Sequence, residues 1–373
     1  MRKIRVLVVD ESIVCRKLLA EVLSSAEDVE VVATAPDGPV ALGKIEQFAP
    51  DVITLDAETS GERRSQTLIV IKQRFPSLPV VMFSALTETD AAATLEALAL
   101  GASDYVTKPS GDASKEVSIE HVRSQLLPKV RALGASFMAS GALPSATPIG
   151  KARTAASPKP TQVSGHASRI ELIAIGTSTG GPNALATLFS ALPKDFAVPV
   201  VCVQHMPPLF TKLLAERLGA SSPLQFHEAQ GGETLAPGHV YIAKGDHHLR
   251  VVREGNEAKL VLDRGPAENS CRPAVDVLFR SAATAFGAGT LAVVMTGMGQ
   301  DGLVGSKSVR EHGGHIIAQD EASSIVWGMP GFVAKAGLAE AILPLSQIGP
   351  YIARKLEQQT ALVRRPQAVA ARR

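Results

Sequence analysis

A chain of 373 residues is long enough for two domains with full cores. Its ordinary apolar content and net charge of +2 mark no nucleic-acid or membrane surface, so neither nucleic-acid binding nor membrane insertion is expected. The odd set Cys15, Cys202 and Cys271 fits reduced thiols rather than a disulfide framework. No apolar run approaches the length of a membrane span, and the start MRKIRVLVVDES lacks a signal peptide's apolar stretch, so a cytoplasmic protein is expected.

Residues 1–130 alternate five strand candidates, IRVLVVD, VEVVATA, DVITLD, PVVMFSA and DYVTKP, with helical patterns such as VCRKLLAEVLSS. Five βα units imply a parallel sheet covered by helices on both faces, with its reactive surface beyond the carboxyl ends of the strands. Those ends carry Asp10 and Glu11, Asp56, Ser84, and Lys108 followed by Pro109. Three carboxylates in one place repel one another unless a hard cation neutralises them, and Mg²⁺ with oxygen ligands meets that need. Lys108 and Ser84 are then placed to contact an added phosphoryl group.

On VVDES, DVITLD, VVMFSALTE and GASDYVTKP the first third resembles a response-regulator receiver domain of flavodoxin-like fold. The resemblance implies that Asp56 accepts phosphate from a histidine kinase, with Mg²⁺ held by Asp10, Glu11 and Asp56, and Ser84 and Lys108 as the switch residues. One stretch departs from that family. After the acceptor, the usual Met-Pro and Asp-Gly are replaced by Ala57 to Arg64, and phosphorylation competence is expected to survive the change.

Residues 131–168 are rich in Ala, Ser, Pro, Gly and Thr and cannot bury enough surface to offset backbone entropy, so a flexible linker is expected. A second α/β pattern follows over residues 169–358. Its strand candidates are ELIAIG, PVVCVQH, HVYIAKG, the hairpin HLRVVREGNEAKLVLDRG, TLAVVMTG, GHIIAQD and AEAILPL. Residues 359–373 read as a disordered basic tail.

The segment ELIAIGTSTGGPNAL holds the pattern G-x-S-x-G, in which a buried strand is expected to end at Gly176 and Pro182 opens a helix. Ser178 then stands where strand becomes helix, facing unpaired backbone N–H groups. A glycine-rich turn of this kind is also a phosphate cradle, and the choice depends on the neighbouring strand ends. PVVCVQ leads to His205 and TLAVVMTG leads to Asp301. If these strands are parallel neighbours, nucleophile, base and orienting carboxylate share one cleft, with the N–H groups of Thr179 and Met298 as oxyanion donors. Metal ligation by His205 with Asp301 is the alternative, although HxH and HExxH spacings are absent. Arg272 either positions an acidic substrate surface or makes a structural salt bridge.

On AIGTSTGGPNAL, VQHMPPLFT, SCRPAVDVLFRSAA, VMTGMGQDG, GGHIIAQDEASS and VWGMPG, the second half resembles the catalytic domain of the chemotaxis protein-glutamate methylesterases, the CheB family. The resemblance implies a three-layer parallel-sheet α/β domain and a triad of Ser178, His205 and Asp301. It further implies hydrolysis of glutamate methyl esters on methyl-accepting chemoreceptors, deamidation of receptor glutamines, no cofactor for hydrolysis, and a receiver that restrains the site until phosphorylated. A receiver-containing signalling adaptor, suggested by the irregular segment after Asp56, is the competing expectation.

Overall fold

The structure, a computed structural model, describes residues 2–56, 61–109, 114–139, 141 and 169–364, leaving aside the side chains of 61–65 and 360–364. The chain divides into two compact units, Met1–Ala155 and Ala156–Arg373.

In the first unit β1 (Ile4–Val9), β2 (Val29–Ala35), β3 (Val52–Asp56), β4 (Val80–Ser84) and β5 (Asp104–Thr107) form one parallel sheet in the order β2-β1-β3-β4-β5. Between them run α1 (Ile13–Ser24), α2 (Gly38–Phe48), α3 (Gly61–Arg74) and α4 (Glu88–Ala99), and α5 (Lys115–Ala139) follows the last strand. Strands such as β3 and β4 are buried at every position, because helices cover both faces of a parallel sheet. All five expected strands are present. Asp10, Asp56, Ser84 and Lys108 therefore lie at or just past carboxyl ends on one edge. The altered segment after Asp56 lies largely outside the described residues.

The start of the expected linker needs correction. Residues 131–139 belong to α5, where Val130, Leu133 and Phe137 continue the buried spacing of Leu126 and Leu127. Each such side chain contributes roughly 1.5–3 kcal/mol when buried. The intervening Ala132, Ala135 and Ala139 favour the helix, and this burial outweighs the weaker propensities of Gly134 and Ser136. Residues 142–168, the remainder of the expected linker, lie outside the described residues.

The second unit is built on a seven-stranded parallel sheet of β6 (Leu172–Thr177), β7 (Val200–Gln204), β8 (Gln225–Glu228), β9 (His239–Ile242), β12 (Thr290–Val294), β13 (His315–Gln319) and β14 (Ala341–Leu343). Their order is β14-β13-β12-β6-β7-β9-β8. β10 (His248–Glu254) and β11 (Glu257–Asp263) make the expected antiparallel hairpin, reversing at Gly255 and Asn256. The helices are α6 (Gly181–Ser190), α7 (Phe210–Ser221), α8 (Val275–Phe286), α9 (Leu303–Glu311), α10 (Met329–Lys335) and α11 (Leu345–Arg364). Apolar side chains of β6, β7, β12 and α8, Leu172, Val201, Ala292 and Phe279 among them, join one buried cluster.

Several elements differ from expectation. β6 continues to Thr177, one residue past Gly176. β8 was not expected: it is a short, half-exposed edge strand carrying His and Glu, so it lacks the apolar run that marks the inner strands. At the carboxyl end α11 runs through residues 359–364, where a disordered tail is expected from the sequence; Gln359 accepts a hydrogen bond from the Ile170 backbone N–H at 3.0 Å, tying that turn to the start of the unit. Residues 365–373 lie outside the described residues. Among the described residues no helix is long and apolar enough to cross a membrane.

Candidate active site

The strands β12, β6 and β7 are parallel neighbours, which satisfies the condition that brings Ser178, His205 and Asp301 to one edge. The strand order reverses beside β6, with β7, β9 and β8 on one side and β12, β13 and β14 on the other. Open α/β sheets place their reacting groups in the crevice at such a switch point.

Ser178 lies in the turn from β6 to α6, and its backbone is held on three sides. Its N–H donates to Thr296 O at 3.0 Å, and its carbonyl accepts from Gly181 N at 2.8 Å and Gln204 Nε2 at 3.0 Å. Gly180, at φ 77°, takes the left-handed conformation that lets so tight a turn enter a helix. Across the crevice a Cβ on Gly297 would come within 2.9 Å of Ser178 Cβ, so only glycine lets the loop after β12 lie against the serine. Among the described residues the half-buried Ser178 hydroxyl makes no hydrogen bond.

His205 follows β7, and its backbone N–H donates to Thr177 O at 3.1 Å. Its ring Nε2 donates to Asp301 Oδ2 at 2.8 Å, while Nδ1 faces Cys271 Sγ at 3.5 Å. Burial works against charge on this ring, but the hydrogen bond to Asp301, then Cys271, outweigh it and raise the pKa to about 10. The imidazolium is the form the ring must hold after taking a serine proton. The structure thus joins His205 to Asp301 directly and sets Ser178 at the adjacent strand end, without a hydrogen bond between serine and imidazole.

Asp301 is buried and accepts from five donors. Oδ2 receives Val275 N at 2.7 Å and the imidazole, and Oδ1 receives Asp276 N at 2.9 Å, Gly302 N at 3.0 Å and Asn269 Nδ2 at 3.1 Å. Val275 and Asp276 open α8, whose first N–H groups have no intrahelical partners, so the carboxylate caps that helix from outside and meets its positive end. Burial alone would raise the Asp301 pKa; His205 and these N–H groups reverse that and lower it. The neighbouring Asp276 shows the opposite balance. Burial raises its pKa, backbone N–H of Gly305 works against that, and the charge on Asp301 raises it further.

Sequence reasoning did not single out Asn269 and Asp276, and read Cys271 only as a reduced thiol. Asn269 bridges the two carboxylates, at 3.0 Å to Asp276 Oδ2 and 3.1 Å to Asp301 Oδ1. The available signal was Asp276 itself, an acid set between Val275 and Val277 at the start of a buried helix face. Of the expected oxyanion donors, Thr179 is buried and its carbonyl accepts from Thr296 Oγ1 at 2.9 Å. The Met298 N–H donates to no protein group among the described residues. Arg272 spends its donors on Asp246 Oδ1, at 2.9 and 2.5 Å, and on Gly265 O at 3.1 Å, which is the geometry of a structural salt bridge.

In the first unit Asp10 and Asp56 are buried at neighbouring strand ends, Glu11 is exposed beside them, and Lys108 Nζ lies 2.8 Å from Asp56 Oδ1. The Ser84 hydroxyl accepts from Thr94 Oγ1 at 2.7 Å and donates to Ala85 O at 3.2 Å, so it is turned toward α4.

A five-stranded receiver sheet with an acidic edge, together with a seven-stranded sheet presenting a serine elbow beside a His–Asp pair, defines a response regulator with an enzymatic output domain. The CheB methylesterase family model matches residues 173–352, and the response regulator receiver domain model matches residues 6–118. A Trichodesmium erythraeum (strain IMS101) protein named protein-glutamate methylesterase/protein-glutamine glutaminase is 46% identical over 95% of this chain and 100% of its own length. One of the same name from Nocardioides sp. (strain ATCC BAA-499 / JS614) is 47% identical over 96% of this chain and 97% of its own. The solved Thermotoga maritima CheB methylesterase catalytic domain is 42% identical, covering 50% of this chain and 99% of that one, with a TM-score of 0.49. The chain belongs to the protein-glutamate methylesterase/protein-glutamine glutaminase family, with a receiver domain and a CheB methylesterase domain. That membership leaves the adaptor reading without support.

Proposed function

We propose that this chain is a cytoplasmic enzyme that hydrolyses glutamate methyl esters on the cytoplasmic helices of methyl-accepting chemoreceptors, releasing methanol, and deamidates receptor glutamines. Phosphorylation of Asp56 by a histidine kinase controls the rate. The observation that carries the reading is the 2.8 Å bond between His205 and Asp301 at the strand end beside Ser178.

The chemistry follows from where protons can go. With Nε2–H donated to Asp301, Nδ1 is the nitrogen left to take the Ser178 proton as Oγ attacks the ester carbonyl carbon. The attacking pair forms when the Ser178 hydroxyl, unbonded among the described residues, takes that nitrogen in place of the Cys271 contact. The tetrahedral oxyanion is held by the Met298 N–H, with Thr179 as the second donor. Collapse breaks the carbon–oxygen bond to methanol, whose oxygen takes the proton from His205, and leaves an acyl-serine. Water then loses a proton to His205 and attacks, releasing the γ-carboxylate and the serine. A glutamine follows the same route with ammonia as leaving group.

In the receiver the donors at the acidic edge are all carboxylate oxygens, which fits Mg²⁺ held by Asp10, Asp56 and Glu11. Bound there, the ion supplies positive charge to a phosphoryl group. Lys108, already paired with Asp56, stays to hold the phosphate's oxygens, and Ser84 turns from Thr94 toward them.

Methanol release from methylated receptor membranes, with and without acetyl phosphate, tests the esterase and its control, and ammonia release from unmodified receptor glutamines tests the deamidase. Asp56→Ala is expected to abolish the stimulation and keep basal turnover; stimulation that survives would move the phosphorylation elsewhere. A second expectation concerns pH. With its pKa raised to about 10, the resting ring carries a proton at neutral pH, while base catalysis needs the neutral form. Measured as kcat/KM, hydrolysis should therefore climb steadily through the neutral range and level off only toward about pH 10. A profile already flat from pH 7 upward would contradict it.

A further inference from the structure

Cys271 has no part in the proton and acyl transfers, yet its Sγ lies 3.5 Å from His205 Nδ1, the nitrogen that must receive the serine proton. We propose that His205 Nδ1 and Cys271 Sγ form a binding site for a soft divalent cation, with Zn²⁺ as the reference ion, and that its occupation silences hydrolysis by capping the base.

The spacing suits such an ion. Zinc bonds of about 2.0–2.1 Å to imidazole nitrogen and about 2.3 Å to thiolate, opened to a tetrahedral angle, set the two donor atoms about 3.5 Å apart. The donors of His205, Cys271 and Asp301 all lie within 4.8 Å of one another. Asp301, however, is bonded to Nε2, across the ring from Nδ1, so it orients the imidazole instead of ligating. A carboxylate holding the second nitrogen of a ligating histidine is the usual outer partner of zinc; it keeps a proton on Nε2, so the ion takes Nδ1 by displacing the proton that the resting ring carries there. Sulfur with nitrogen selects zinc over magnesium, so this site and the oxygen-lined receiver edge draw different ions.

The loop that carries Cys271 is built to aim it. Glu268 and Cys271 exchange two backbone hydrogen bonds, at 3.1 and 2.8 Å, across a two-residue turn in which Asn269 and Ser270 both have positive φ, 52° and 61°. For serine that conformation carries a strain on the order of 1 kcal/mol. The Asn269 side chain locks the turn to Asp276 and Asp301, the same carboxylate that holds the imidazole. Thiol and imidazole are thus fixed from one anchor, which is the preorganisation a metal pair needs.

The test is made on the full chain with excess Mg²⁺ present. Binding is read from the thiolate-to-metal charge-transfer band on adding Co²⁺, and from protection of Cys271 by Zn²⁺ against iodoacetamide, scored by peptide mass spectrometry. The band and the protection are expected in the wild type and equally in Ser178→Ala. Cys271→Ser should lose the band and weaken Zn²⁺ binding by at least the roughly 10–100-fold that loss of an outer partner costs. Zn²⁺ should also stop methanol release by the wild type, reversibly with a chelator, and leave the rate of Cys271→Ser untouched at the concentration that silences the wild type. A wild type without band or protection, or equal inhibition of wild type and Cys271→Ser, overturns the proposal. The inhibition rests on the hydrolytic reading, whereas the band and the protection do not, so the two fail separately. Protection in the wild type needs no variant to fold.

Discussion

Ser178→Ala is expected to lower methanol release from methylated receptors by about 10⁴- to 10⁶-fold, the loss usual when a nucleophile is removed from a serine triad. The change should act on chemistry alone. The hydroxyl makes no hydrogen bond among the described residues, so no buried group is left unpaired, and Cβ, which faces Gly297, remains. The turn is held by the Ser178 backbone, through Thr296 O, Gly181 N and Gln204 Nε2, none of which the substitution touches. Thermal stability should therefore be unchanged, and receiver phosphorylation should proceed as before. A fluorophosphonate should label residue 178 in the native wild type and not in denatured protein, nor in Ser178→Ala. Methanol release that persists in the variant would remove the serine from the mechanism, whatever its stability.

The inner strands were legible because a strand buried on both faces is a continuous apolar run, and β3, β4, β7 and β12 are such runs. The edge strand β8 was not legible, since its residues Gln225 to Glu228 alternate between exposed and half-buried and imitate a loop. Composition misled at residues 131–139, where Ala, Gly and Ser resemble a tether while Leu133 and Phe137 keep the helical spacing that buries them. At the site the residues at strand ends, Ser178 and His205, could be found from periodicity and turn chemistry. The ring of partners around Asp301 could not. Asn269 and Asp276 reach it, and Cys271 reaches His205, from a loop and a helix start about 25 to 32 positions earlier in the chain than Asp301, and only the packing of α8 beneath β6 and β12 brings them there.

Asp301→Asn is expected to cut hydrolysis by about 10⁴-fold, because an amide in this position favours the wrong histidine tautomer. The effect should be larger on the fold than such a conservative change suggests. Every partner of the carboxylate is a donor: the imidazole, three backbone N–H groups and the Asn269 amide. An asparagine offers one acceptor oxygen, so on whichever side its NH₂ falls it meets donors. With the nitrogen in place of Oδ2 it faces the Val275 N–H and the His205 Nε2–H; with the nitrogen in place of Oδ1 it faces Asp276, Gly302 and Asn269. Each buried donor left without an acceptor costs on the order of 1–3 kcal/mol. The start of α8 also loses the negative charge that its first N–H groups face. Calorimetry should show a lowered melting temperature together with the loss of turnover, in contrast to Ser178→Ala, which should lose turnover alone. In the variant His205 also loses its main anionic partner, so its pKa should fall from about 10 toward the ordinary histidine range, and the residual rate should stop rising at a lower pH than in the wild type. A variant that keeps both its rate and its alkaline rise would show that Asp301 only holds the helix in place and takes no part in positioning the base.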